Sequence, residues 1–121
     1  MNQAPMTKIF DLEERTLEFA RSVRLFVKKL PHTLANVEDA RQLIRASGSV
    51  GANYIEANES LGKKDFLMHI RIARKEAKEA RYWLRLLDTG SDAAINKDRS
   101  DLIQETTELL LILSAIVCKS T

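Results

Sequence analysis

Apolar residues recur every three to four positions along four long segments of this chain, and this spacing limits its fold more than any other feature. Residues at that spacing share one face of an α-helix, so each segment predicts an amphipathic helix with an apolar side to bury. Only 4 glycines and 2 prolines interrupt the 121 residues, which leaves room for long helices. Strand-like alternation, internal repeats and low-complexity tracts are absent from the sequence. We therefore predict an all-α protein, a single domain over residues 1–121 folded as an antiparallel up-and-down four-helix bundle.

The ends of the helices are predicted from residues that commonly cap or stop them. Asp11 can accept hydrogen bonds from the free N–H groups of a first turn, and Pro31 cannot continue a helix. Gly62 suits the position after the end of the second helix. The expected helices span residues 11–30, 36–60, 63–88 and 98–119, with 1–7 as a flexible N-terminal tail and 89–97 as a polar loop.

The middle of the second predicted helix, residues 46–52, reads ASGSVGA and is a poor helix former in isolation. A strand or loop is the alternative, because each glycine costs about 1 kcal/mol relative to alanine. A phosphate-binding loop would follow a strand and carry glycine, lysine and serine or threonine at fixed spacings, which this segment lacks. The apolar stripe continues in phase through both glycines, so we expect a helix whose small residues let a neighbouring helix approach closely.

Cysteine content and hydropathy favour a cytoplasmic protein without a membrane span. The single cysteine, Cys118, cannot form an internal disulfide, which is typical of a reducing compartment. The longest apolar run, residues 109–118, is about half of the roughly 20 residues that cross a bilayer. We interpret this run as one wall of a buried core.

The third predicted helix carries three faces. Its core face comprises Phe66, Ile70, Ala73, Ala77, Ala80, Leu84 and Leu87. Its basic face contains the candidate contacts named at the end of this paragraph, together with Lys63 and Lys64. Residues 61–90 as a whole hold eight Lys/Arg against four Asp/Glu. One interpretation is a solvated face, neutralised within the helix by Lys75 with Glu79 and Arg85 with Asp88. The other is a surface for RNA or DNA. The candidate contacts are Arg71, Arg74, Lys75, Lys78, Arg81, Arg85 and Tyr82.

The third face of this helix is partly apolar, although a helix in a simple bundle needs only one apolar face. An additional apolar surface indicates that something packs on it. We predict a homo-oligomer larger than a dimer, with an interface formed by Met68, Ile72, Trp83 and Leu86.

The sequence contains no recognisable catalytic or metal-binding motif. Asp65 and His69 stand four residues apart, but two ligands do not make a metal site. Glu56 and Glu59 could form a polar site with nearby Asn53 and Arg45, but we favour the simpler interpretation of a solvated or inter-subunit face. We expect no enzymatic activity, cofactor, metal or small-molecule substrate.

Four segments of the chain have a familiar sequence: residues 42–46 (QLIRA), 49–59 (SVGANYIEANE), 63–66 (KKDF) and 73–84 (ARKEAKEARYWL). Together they resemble the bacterial four-helix bundle proteins, also called large-subunit ribosomal RNA intervening-sequence proteins. Many members read Asn-Ile-Ala-Glu where this chain has Asn53-Tyr54-Ile55-Glu56. The resemblance implies a four-helix bundle, often a homopentamer, and no enzymatic activity; a related bundle works with a reverse transcriptase and nucleic acid.

Two functions follow as hypotheses. The first is an oligomer that binds RNA or DNA without sequence preference through the basic face of the third helix. The second is a protein-interaction scaffold that binds no nucleic acid.

Overall fold

A computed structural model of the protein describes residues 11–121. Four helices are present in this part of the chain: α1 Leu12–Lys28, α2 Leu34–Asn58, α3 Lys63–Leu86 and α4 Ala93–Ser120. Each helix packs on the next, and α1 also contacts α4, which closes the bundle. The predicted all-α four-helix bundle is confirmed. The tail predicted for residues 1–7 lies outside the described residues.

Side chains at the start of each helix explain most of its boundaries. The side chain of Asp11 accepts a hydrogen bond from the backbone N–H of Glu14, as predicted. The cap of α2 is Thr33, so the helix begins two residues before the predicted start at residue 36, and Asn36 is buried. Gly62 is not the residue directly after α2, which ends at Asn58; it immediately precedes α3, in an extended conformation with φ −145°. Apart from the start of α4, the other ends differ from the predictions by two residues or fewer.

The start of α4 was predicted wrongly. The helix begins at Ala93 rather than near residue 98, because the Asp92 side chain accepts hydrogen bonds from the N–H groups of Ala94 and Ile95. The chain turns just before this cap, where Gly90 and Ser91 have positive φ angles of 71° and 66°. Part of the polar sequence interpreted as a loop is therefore the solvent-facing side of the first turns of α4.

The glycine-containing segment of α2 is helical, as predicted, and one of its glycines lies at a close helix–helix contact. A Cβ atom on Gly51 would lie 2.7 Å from the Oγ1 of Thr16 in α1. A Cβ atom on Gly48 would meet only the end of the Arg24 side chain, at 3.7 Å. Gly51 therefore permits the close approach of α1, whereas Gly48 does not serve that purpose.

The apolar run at 109–118 is buried on one side only. Leu109, Leu113 and Val117 belong to the core, whereas Leu111 is 68% exposed and Cys118 is exposed. The run therefore forms one wall of the core, as predicted, while its outer side faces solvent. The neighbouring helices α1 and α3 cover only one side of α4, and no other helix of residues 11–121 packs on its outer side.

Candidate nucleic-acid interface

The predicted basic face of α3 divides into an exposed stripe and two partly covered arginines. Arg74 and Arg81 are half-buried, and one Arg81 N–H donates to the hydroxyl of Thr107 in α4 over 3.4 Å. Tyr82 is 58% exposed and lies within the stripe. The exposed cations are Lys63, Lys64, Arg71, Lys75, Lys78 and Arg85. Because a helix rises about 1.5 Å per residue, the stripe is roughly 30 Å long.

Core packing explains why these cations face outward. Residues Ile70, Ala73, Ala77, Ala80 and Leu84 are fully buried. They fix the rotation of α3 about its own axis, so positions on the opposite side must point into solvent. The small alanines allow α3 to lie close to its neighbours, while the long basic side chains extend from the surface.

Two of the three carboxylates of α3 face α2 rather than the stripe. Glu76 and Glu79 approach the guanidinium of Arg45 in α2, at 3.9 and 3.8 Å. Asp65 lies 3.5 Å from His69 on its own helix. The only other acid between residues 61 and 90, Asp88, follows the helix and accepts a hydrogen bond from the N–H of Gly90.

No cation of the basic face forms an ion pair within 4.0 Å in residues 11–121. The pairs expected for a neutralised solvated face, Lys75 with Glu79 and Arg85 with Asp88, do not form. Arg45 draws Glu79 toward α2, so the stripe keeps its local positive charge. Sequence reasoning missed this role of Arg45, although an antiparallel register of α2 and α3 places it beside Glu76.

Glu76 was assigned to the third face, yet it is buried between α2 and α3 with a relative exposure of 7%. Its Oε1 atom has no hydrogen-bond partner among the described residues. The Arg45 side chain that approaches it is 58% exposed, so this ion pair is only partly shielded from water. Glu76 is thus part of the α2–α3 contact and does not belong to an open surface.

The residues predicted for the oligomer interface differ in exposure. Ile72 and Trp83 are half-buried, and Trp83 packs against buried apolar residues of the bundle core. Met68 and Leu86 are 47% and 51% exposed. Only the latter two offer substantial free apolar surface, and they border the basic stripe.

A shallow groove lies at the start of the stripe. Its volume is about 810 Å³, and four of its eight lining residues are cations. Met68 and Ile72 supply its apolar surface. The lining is Gly62, Lys63, Lys64, Asp65, Met68, Arg71, Ile72 and Lys75.

The other polar candidates do not assemble into a site. Asn53 donates to the backbone oxygen of Ser49 and faces His69 across 3.3 Å, while Arg45 turns to α3. Glu56 and Glu59 are exposed. Within residues 11–121, no three His, Cys, Asp or Glu side chains are arranged to hold a metal ion. The four helices also lack an apolar stretch long enough to cross a membrane.

Comparison with known families matches residues 10–115 to the 23S rRNA-intervening sequence protein family. The chain belongs to this family. The predicted resemblance is confirmed, and it covers all four helices except the last residues of α4. No curated protein matches the chain.

A crystal structure of a similar protein supports the family assignment. It is a protein of unknown function from the S23 ribosomal protein family of Bacteroides thetaiotaomicron VPI-5482. The two chains are 28% identical and superpose with a TM-score of 0.76, over 88% of this chain and 98% of the relative. Membership in the family therefore rests on both sequence and three-dimensional structure.

Proposed function

We propose that this protein is a non-enzymatic oligomer that binds RNA or DNA through the exposed basic stripe of α3. The observation that supports this most strongly is the separation of charge on one helix. Cations without ion-pair partners line one side, while Glu76 and Glu79 engage Arg45 of α2 on another and Asp65 lies beside His69. Phosphates fit such a stripe because they neutralise it without displacing an internal partner.

Oligomerisation would supply the affinity that one subunit lacks. Residues 61–90 carry an excess of four positive charges, since eight Lys/Arg stand against four Asp/Glu. A few phosphate contacts give weak, salt-sensitive binding. Several stripes on one particle raise the affinity by about 10²–10⁴ through avidity. The pentamer implied by the family resemblance would present five stripes.

Two charge-reversal variants test the stripe. Lys75→Glu with Lys78→Glu places two negative charges at its centre and should abolish binding to RNA. Lys28→Glu with Arg41→Glu changes the net charge equally, at exposed positions of α1 and α2, and should bind nearly as the wild type. Fluorescence anisotropy at about 50 mM salt measures the affinity of both variants. For single strands, the logarithm of the affinity should fall with the logarithm of the salt concentration, with a slope of about −0.7 per phosphate neutralised.

Two results would contradict this proposal. Equal loss in both double variants would attribute binding to net charge rather than to α3. A flat titration of assembled wild-type protein would favour the alternative, a protein-interaction scaffold.

The proposed oligomer interface is the face of Met68, Ile72, Trp83 and Leu86. Met68→Asp with Leu86→Asp is the best probe, because these two side chains are exposed, whereas changing Trp83 would also disturb the core. Light scattering should show dissociation with an unchanged helical spectrum. Leu111→Asp on the outer side of α4 is the matched control. Dissociation caused by Leu111→Asp alone would indicate that the interface lies on α4.

A further inference from the structure

Tyr82 is an exposed aromatic ring held in a fixed orientation within the basic stripe. Its ring centroid lies 5.0 Å from that of Trp83, with an angle of 80° between the ring planes. Trp83 itself packs against buried apolar residues of the bundle core, and this packing anchors the pair of rings. Tyr82 nevertheless remains 58% exposed.

The edge-to-face arrangement leaves a stacking surface open. If the edge of Tyr82 meets the face of Trp83, both faces of Tyr82 are free of the tryptophan. If the edge of Trp83 meets Tyr82, one face is still free. The contact also restricts the tyrosine before any ligand arrives, so little side-chain entropy is lost when another ring stacks on it.

Cations lie one helical turn away on either side of this ring. Lys78 stands four residues before Tyr82 and Arg85 three residues after it, and both are exposed. Residues at these spacings occupy the same face of a helix. A nucleic-acid backbone held by the two cations would therefore pass directly beside the tyrosine ring.

We infer that the α3 stripe prefers single-stranded RNA or DNA, with an unpaired base stacked on Tyr82. This inference rests on the proposed nucleic-acid function. Bases in a duplex are stacked on one another, so their faces are not available to a ring on the protein surface, which meets only sugar, phosphate and base edges. A single strand can turn a base toward the ring, and every base has a face that stacks. Stacking therefore adds a preference for unpaired strands without a preference for sequence.

The experiment compares the wild type with Tyr82→Ala and Tyr82→Phe on three probes. These are an RNA of about 20 nucleotides, a DNA strand of the same length, and the corresponding DNA duplex. Tyr82→Ala should weaken single-strand binding by about 5- to 150-fold. Tyr82→Phe keeps the ring and should bind like the wild type. Neither change should alter duplex affinity or the salt slope, because no phosphate contact is removed.

The fluorescence of Trp83, the only tryptophan of the chain, provides an independent measurement of binding. Its emission should change when a single strand binds the wild type and the Tyr82→Phe variant, and should respond less to the duplex. Equal losses on single strands and duplex, or a Tyr82→Phe variant as weak as Tyr82→Ala, would overturn the stacking inference while leaving the basic stripe intact. Absence of binding to every probe at about 50 mM salt would overturn both proposals.

Discussion

Thr16 in α1 and Gly51 in α2 lie so close that a Cβ atom on the glycine would approach the threonine Oγ1 to 2.7 Å and its Cβ to 3.1 Å. The Thr16 hydroxyl is buried and donates to the backbone oxygen of Leu12 over 2.7 Å. It has little freedom to move away, because its side chain is short and the contact is part of the core. This pair sets the separation of the first two helices.

Gly51→Ala should lower the free energy of unfolding by about 1–3 kcal/mol, since overpacking outweighs the gain in helix propensity. Gly48→Ala is the matched control in the same helix. It should raise stability by up to about 1 kcal/mol, because its Cβ meets only a flexible arginine end at 3.7 Å. Urea unfolding followed by circular dichroism measures both. Equal effects of the two variants would show that the contact does not limit the packing.

Asn36 should be the most sensitive polar residue of the core. Its buried amide donates to the backbone oxygens of Pro31 and Asp88 and accepts from the N–H of Asp88. It thereby joins the α1–α2 connection to the end of α3. Asn36→Ala should cost about 2–4 kcal/mol, because buried backbone groups lose their partners. Asn58→Ala, which removes an exposed bond to Glu13, should cost under about 0.5 kcal/mol in the same unfolding assay.

Removing Arg45 should be harmful mainly because of the carboxylate it leaves behind. Arg45→Ala deprives the buried Glu76 of its nearby cation and should lower stability by about 1–2 kcal/mol, a value reduced by the solvent around the guanidinium. In a Glu76→Gln background the same change should cost less than half as much. A double-mutant cycle of unfolding free energies measures the coupling. Additive effects would mean that Arg45 and Glu76 do not interact.

Glu108 should titrate below its ordinary pKa of 4.5. The hydrogen bond from Gln104 is the main cause of the lowered pKa, and the Arg15 guanidinium, 2.7 Å away, adds to it. Because the pKa is lower in the folded state, this contribution to stability is complete above the unfolded pKa and is lost as the pH falls through the folded one. Gln104→Ala should raise the pKa in a carboxyl NMR titration, whereas Gln42→Ala, on the exposed side of α2, should leave it unchanged. A Glu108 pKa at or above 4.5 in the wild type would contradict the role of both donors.

The periodic spacing of apolar residues determined the number of helices, their buried faces and the all-α class, because helix geometry turns sequence spacing directly into faces. It also located the basic face of α3, whereas the family resemblance came from four short sequence segments. The start of α4 was predicted wrongly because the sequence does not distinguish polar residues in a loop from polar residues on the solvent-exposed side of the first turn of a helix. Asp92 and its bonds to Ala94 and Ile95 resolve that ambiguity.

Only the tertiary structure decided which charges of α3 are free. In sequence, Glu79 stands four residues from Lys75 and would neutralise it, but in the bundle Arg45 on another helix draws it away at 3.8 Å. The burial of Glu76 and the exposure of Leu111 are likewise consequences of which helices lie beside α3 and α4. Periodicity along one helix specifies a face, whereas the partner of that face depends on residues distant in the chain, which meet only when the helices pack.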